Sequence, residues 1–190
     1  MHQTLYIRFT FLFTLLLATG CSKHHQVFLN PSLPIHNSNI GNNIPISLYV
    51  EDARRSNIIA KWQKGFRKFS ISAQNDLKDI FSLKLQQGLK KLGFIPKIHR
   101  RNPNHSLKVY VLNIKSKYSV SPRMNVRVKS SLRATCYNKG RKFSKIYSAK
   151  KSRIGITPAT FPNENLINAG LSEILGEMLT DRALLSCLVE

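Results

Sequence analysis

The sequence predicts an α+β domain, a two-layer sandwich with two amphipathic helices packed on one face of a mainly antiparallel sheet. Two apolar stripes at helical spacing, through residues 77–92 and 163–187, and one long period-two run, Met124–Cys136, carry that expectation. Two helices that are each apolar along one stripe need a sheet to cover, and one helical layer on one sheet hides all three apolar faces. At 190 residues and 42% apolar content the chain is long enough for one such core and too apolar for a disordered basic tail.

The elements follow in order along the chain. Residues 1–8 carry one full side-chain charge, Arg8, and Phe9–Ala18 is an apolar run broken only by threonines. The run is too short for an ordinary membrane-spanning helix and has the layout of a secretory signal. Its ending, Leu17-Ala18-Thr19-Gly20-Cys21, resembles a bacterial lipobox, in which small residues fit the peptidase groove and the Cys21 thiol takes the lipid. One acyl chain binds a bilayer marginally and two or more hold firmly, so a lipidated Cys21 makes the bilayer the first expected partner. Ser22 stands where an Asp commonly retains lipoproteins at the inner membrane of Gram-negative bacteria, which points to the outer membrane and a domain facing the periplasm. Residues 22–43, rich in Asn, Ser, Pro and His, show no sustained period and read as a flexible tether. The chain thus divides into a signal at 1–20, a lipidated cysteine and tether at 21–43, and a single domain at 44–190.

Within the domain, Ile44–Glu51 alternates as a strand with Ile46, Leu48 and Val50 on one face, and Asp52 and Arg54 close it. A carboxylate–guanidinium pair there would pin the next loop; exposed charges that simply end the strand are the other reading. Residues 56–67 are ambiguous, and Lys68–Ser72 reads as a short strand. Asn75 reads as the cap of a helix to Leu92, with Asp76 and Asp79 in the first turn, Lys90 and Lys91 in the last, and Gly93 as its stop. Phe94 follows as a core anchor. Ser106–Tyr118 switches phase midway, which predicts a bulge near Leu112. Asn138-Lys139-Gly140 is a tight connection between Met124–Cys136 and a third strand, Lys142–Ala149. A loop with Gly155, Pro158 and Pro162 leads to a last helix from Asn163 to about Cys187, with Glu164 in its first turn.

Charge sets the partners. With 30 Lys and Arg against 9 Asp and Glu, the chain carries a formal +21. An exported domain meets no nucleic acid in normal use. Lipopolysaccharide phosphates, peptidoglycan carboxylates, lipid headgroups or an envelope protein are the available counter-surfaces. Arg127, Lys129 and Arg133 occupy the polar phase of the clearest strand, and Lys142 and Lys145 follow in the next. With Lys139, Arg141, Lys150, Lys151 and Arg153 they form a basic run free of acids, expected to be in part a ligand-binding face, with Tyr137 and Tyr147 among it. A merely solvated sheet face is the alternative. With Cys21 lipidated, Cys136 and Cys187 remain, and in an oxidising compartment they are either bonded or two separate small hydrophobes.

Catalytic chemistry is not visible. No GxSxG, HExxH, CxxC or Walker-type motif occurs, so no catalytic residue and no cofactor is expected. His24, His25 and His36 lack the carboxylate or cysteine company of a metal site. An enzyme whose site assembles from distant residues, with an acid brought to His99 or His105, is the alternative to a binding or assembly role. An accessory subunit of an envelope complex is a third.

The lipobox Leu17–Cys21, the strand leading into Val50-Glu51-Asp52-Ala53-Arg54, and the helix ending Leu92-Gly93-Phe94 stand in a characteristic order. Leu107-Lys108-Val109, the Asn138–Gly140 turn and the long C-terminal helix complete it. Together they resemble the YajG-type family of small bacterial lipoproteins. The resemblance implies location more firmly than activity, supplies no catalytic residues, and does not account for the strong positive charge.

Overall fold

The computed structural model describes residues 22–64, 67–98, 105–119, 125–154 and 160–190. The signal, Cys21, His99, Met124, Gly155 and Pro158 lie outside them. Among the described residues, eight strands and three helices follow in the order β1 (Ser22–Val27), β2 (Pro45–Asp52), β3 (Ile58–Lys64), β4 (Arg67–Ala73), α1 (Leu77–Lys91), β5 (Ile95–Ile98), β6 (His105–Ser119), β7 (Asn125–Asn138), β8 (Arg141–Ile154), α2 (Thr160–Thr180) and α3 (Arg182–Val189). The α+β expectation holds. The five-stranded sheet, in the order β5-β2-β6-β7-β8, is antiparallel from β6 to β8 and parallel where β2 meets β5 and β6. A second sheet, β1-β4-β3, stands beside it, and the helices form one layer on the large sheet's inner face.

Alternation explains that face. Ile46, Leu48 and Val50 of β2, Leu107 and Val109 of β6, and Val126, Val128, Leu132, Ala134 and Cys136 of β7 are all buried. Their partners across the helix layer are Leu77, Phe81, Leu85 and Leu89 of α1 and Ile167, Leu171, Ile174 and Met178 of α2. The phase switch in β6 is a bulge: the pairing with β7 slips between Val111 and Asn113, leaving Leu112 as the extra residue. Lys139 (φ 44°) and Gly140 (φ 85°) are both left-handed, as the two-residue turn of a twisted hairpin requires.

The start of α1 is one residue later than expected. Asp76, not Asn75, is the cap, its carboxylate accepting from the Lys78 N–H at 2.8 Å. Its end is as the sequence implies. Gly93 sits at φ 85°, its N–H donating to Lys90 O and that of Phe94 to Leu89 O, the paired bonds of a glycine-terminated helix. A methyl group on Gly93 would lie 2.7 Å from Asn39 Oδ1 and 3.0 Å from Asn39 Cα. Phe94 is buried behind it.

The C-terminal helix is two helices. The chain breaks at Asp181, whose carboxylate accepts from the Ala183 and Leu184 N–H groups and so caps α3. The helix before the break begins at Thr160, upstream of the expected Asn163, so Glu164 is no longer in its first turn.

The largest correction concerns the tether. Residues 22–43 are packed, not free. β1 pairs in parallel with β4, and Val27, Leu29 and Ile35 are core residues. From Phe28 the extended chain lies along α2. The N–H groups of Phe28, Asn30 and Ser32 donate to Glu164 Oε2, Asn168 Oδ1 and Ser172 Oγ at 2.9, 2.9 and 2.8 Å. Two extended residues advance about 6.6 Å and four helical residues about 6.0 Å, so the two spacings run in step. Further on, Ser38, Gly41 and Asn43 donate to the carbonyls of Lys91, Leu92 and Gly93, satisfying the end of α1. The core therefore begins at Val27, ahead of Ile44.

Candidate functional site: the outer face of the large sheet

In an antiparallel sheet, residues directly opposite share a face, so the strand registers sort the basic run into two sets. On the outer phase are Lys108, Lys115 and Lys117 of β6, Arg127, Lys129 and Arg133 of β7, and Lys142 and Lys150 of β8. Lys115, Lys129 and Lys150 oppose one another across three adjacent strands, and Lys117 opposes Arg127. Neighbouring strands lie about 4.8 Å apart, so these are close like-charge contacts that cost stability in the isolated protein. Glu51 is the one acid on this phase among the described residues of the large sheet, and it accepts from the Tyr49 hydroxyl at 2.8 Å. None of the outer-phase cations forms an ion pair among the described residues. The side chains of Lys115, Lys117, Arg127, Lys129, Arg133, Lys142 and Lys150 are all exposed among the described residues.

Tyr137 lies on the same face beneath two of these cations, with the Nζ atoms of Lys108 and Lys142 at 5.0 and 5.7 Å from its ring centre. That arrangement holds two ammonium groups together over a ring that attracts them.

The helix-facing phase of β8 is different, and it takes Lys145 out of the expected binding face. Lys145 Nζ donates to Asp181 Oδ2 at 2.7 Å and lies 3.8 Å from Glu177. Arg141 pairs with Glu190 and Lys151 with Glu173. The acids of α2 and of the two ends of α3 thus neutralise three of the four cations on their own side of β8, all but Arg153, and leave the outer ones unmatched. Tyr147 leaves the surface as well: it is fully buried, and its hydroxyl donates to Asp181 Oδ2 at 3.0 Å.

Asp181 is the functional-looking carboxylate that sequence reasoning missed, and its role is structural. Partial burial pushes its pKa up, but hydrogen bonds from Lys145, Tyr147 and the Leu184 and Ala183 N–H groups outweigh this and hold it below the usual carboxylate value. The same hydrogen bond raises Lys145 above an ordinary lysine, while burial, then Asp181, raises the Tyr147 phenol. At the chain end, Ser186 and then Arg141 lower Glu190.

The remaining sequence candidates resolve into supports. Asp52 holds Arg54 in a two-pronged pair, Nε–Oδ1 and Nη2–Oδ2 both 2.8 Å, and Arg54 is almost fully buried. This fixes the exit from β2, whose Ala53 N–H also donates to Val111 O. Cys136 and Cys187 are joined by a disulfide, tying α3 to the C-terminal end of β7. Around it, the cross-strand neighbours His105 and Asn138 donate to the last carbonyls of α3, Leu188 O at 2.7 Å and Cys187 O at 3.0 Å. Of the two rings on which the enzyme alternative depended, His105 is therefore spent on a helix end, and His99 lies outside the described residues. His24 of β1 is spent too, its ring nitrogens 2.8 and 3.0 Å from the Ser70 and Ser72 hydroxyls. No group of three or more metal-ligating side chains occurs among the described residues. No helix among them is long and apolar enough to cross a membrane.

A second feature lies at the free end of the small sheet. Trp62 and Phe69 stack at 5.0 Å, and Trp62 lies 4.7 Å from Tyr118 of β6. Trp62 and Phe69 border an open cleft of about 520 Å³ whose rim includes Ile58, Lys61, Gln63 and Lys68.

Compared with known proteins, residues 31–188 match the model of the Lipoprotein_16 family, described as uncharacterized lipoprotein. None of the curated proteins matches. Among solved structures, a DUF330-family protein from Xanthomonas campestris is 14% identical over 89% of this chain and 95% of its own, with a TM-score of 0.47. A minor lipoprotein from Acinetobacter baumannii is 11% identical over 76% of this chain and 94% of its own, also at 0.47.

Proposed function

This chain belongs to the Lipoprotein_16 family of uncharacterized lipoproteins, and from that premise we propose an outer-membrane lipoprotein, acylated at Cys21, that acts by binding. Membrane anchoring in the bacterial envelope is the family's; the ligand is an anionic envelope component held on the outer face of the large sheet. One observation carries the reading: among the described residues the outer phase of β6, β7 and β8 is basic, exposed and without ion pairs, while three of the four inner-phase cations of β8, Arg141, Lys145 and Lys151, are paired with acids and Arg153 alone is not. Direct opposition of Lys115, Lys129 and Lys150 is unfavourable until an anion occupies the face. Near an anionic surface each such residue gains about 1 kcal/mol.

The test is binding of residues 22–190 to purified lipopolysaccharide, peptidoglycan and anionic vesicles, at low salt and at about 0.15 M. A variant carrying Lys115→Glu, Lys129→Glu, Arg133→Glu and Lys150→Glu runs beside one carrying Lys78→Glu and Lys90→Glu on α1. Binding to one of the three surfaces that persists at the higher salt, is lost in the sheet variant and is kept in the helix variant supports the face and names its ligand. Equal loss in both variants, or loss of all binding as salt rises, sinks it.

A further inference from the structure

Ser22 is the first residue of β1 and already pairs with Lys68 of β4. Cys21 is its covalent neighbour, about 3.8 Å away between Cα atoms. If a tether of about twenty residues followed the anchor, the body would range over roughly 25 Å. With the segment packed, an anchor on Cys21 instead places one particular end of the body against the bilayer. That end is the β3–β4 hairpin, because Lys68 pairs in turn with Gln63 of β3.

The composition of that end matches a lipid–water interface. Trp62 is the one tryptophan of the chain; it is half-buried, borders the cleft with Phe69 and touches the ring of Tyr118. Lys23, Lys61 and Lys68 are exposed beside it and form no ion pair among the described residues. Tryptophan and tyrosine favour the headgroup level, and lysines reach from it to phosphate. The contact between Trp62 and Tyr118 sets the hairpin against the inner face at the end of β6, since Tyr118 pairs with the buried Val126.

We propose that the β3–β4 hairpin is a membrane-docking site, with Trp62 and Phe69 seated among the phosphate headgroups of the bilayer that holds the anchor and Lys23, Lys61 and Lys68 bound to phosphate. The inference rests on acylation of Cys21. Anchoring turns docking into an intramolecular step, so a contact too weak to recruit the soluble domain still orients the tethered one.

The single tryptophan makes the test direct. The lipidated protein is reconstituted in phosphatidylethanolamine–phosphatidylglycerol vesicles, with and without acyl-brominated lipid, and the mass of the N-terminal peptide reports the state of Cys21. The expected result is an acylated Cys21 and a Trp62 emission that is blue-shifted, largely quenched by brominated lipid and shielded from aqueous iodide. Lys23→Glu, Lys61→Glu and Lys68→Glu together should reverse all three changes. Acylated Cys21 with Trp62 open to iodide and indifferent to brominated lipid overturns docking alone. An unmodified Cys21 overturns the anchor and the docking together.

Discussion

Asp181 is a single carboxylate with three structural duties, and replacing it should show all of them. Its Oδ1 caps α3 and its Oδ2 takes the hydroxyl of a fully buried tyrosine and the ammonium of Lys145. Asp181→Ala removes a cap, at about 1 kcal/mol. It also leaves the Tyr147 hydroxyl buried without an acceptor, at about 1–3 kcal/mol. The exposed Lys145 returns to solvent and adds nothing to the sum. The total, roughly 3 kcal/mol, corresponds to about 6–12 °C in Tm for a chain of this size. Asp181→Asn keeps an oxygen for the cap and an amide the hydroxyl can face, so it should cost about 1 kcal/mol or less. Because the folded carboxyl titrates below its unfolded value, its stabilisation is complete above about pH 4 and drains away as pH falls through the folded value. Urea unfolding of wild type, Asp181→Ala and Asp181→Asn at neutral pH and in acid reads all of this. Equal losses in the two variants, or an Asp181→Ala within about 1 kcal/mol of wild type, would refute the reasoning. So would a wild-type advantage over Asp181→Asn that widens in acid.

Other outcomes follow from the same geometry. Gly41→Ala would put a methyl group 2.5 Å from the Phe94 ring and 2.6 Å from its backbone nitrogen; a loss of at least about 2 kcal/mol in denaturant unfolding is expected, and a neutral substitution would restore the free tether. Asp52→Ala strands the buried Arg54 and should cost about 3 kcal/mol, whereas replacing the pair together, Asp52→Ala with Arg54→Met, should cost less, a difference a double-mutant cycle measures. Joining positions 51 residues apart, the Cys136–Cys187 bond should contribute about 4 kcal/mol through the unfolded chain; unfolding Cys136→Ala/Cys187→Ala with and without reductant checks it, and a reductant effect on that variant would point elsewhere.

The helix α1, its stop at Gly93, the β6 bulge and the β7–β8 turn were legible because each is set by neighbours within a few residues. The order of β5-β2-β6 was not, since parallel pairing leaves no local mark. Packing of residues 28–35 was half legible. Val27, Leu29, Leu33 and Ile35 alternate as an extended chain should, but Pro31 and Pro34 read as breakers, and the partners Glu164, Asn168 and Ser172 lie far along the sequence. Lys145 is a case of parity. Three residues beyond Lys142 on one strand, it points to the opposite face, and following that alternation through β8 separates the outer cations from those that face the helices. Asp181 gave no warning, because a break between two helices with one continuous apolar stripe looks like a single helix until its cap is seen.

The basic face is tested most directly by lysine-labelling mass spectrometry of the lipidated protein in vesicles of its own envelope membrane, against the same protein in neutral detergent. Lys115, Lys129, Lys142 and Lys150 should lose reactivity on the membrane, while Lys78 and Lys90 of α1 keep theirs. Protection of the α1 lysines with the sheet lysines unchanged would contradict a binding role for the outer face.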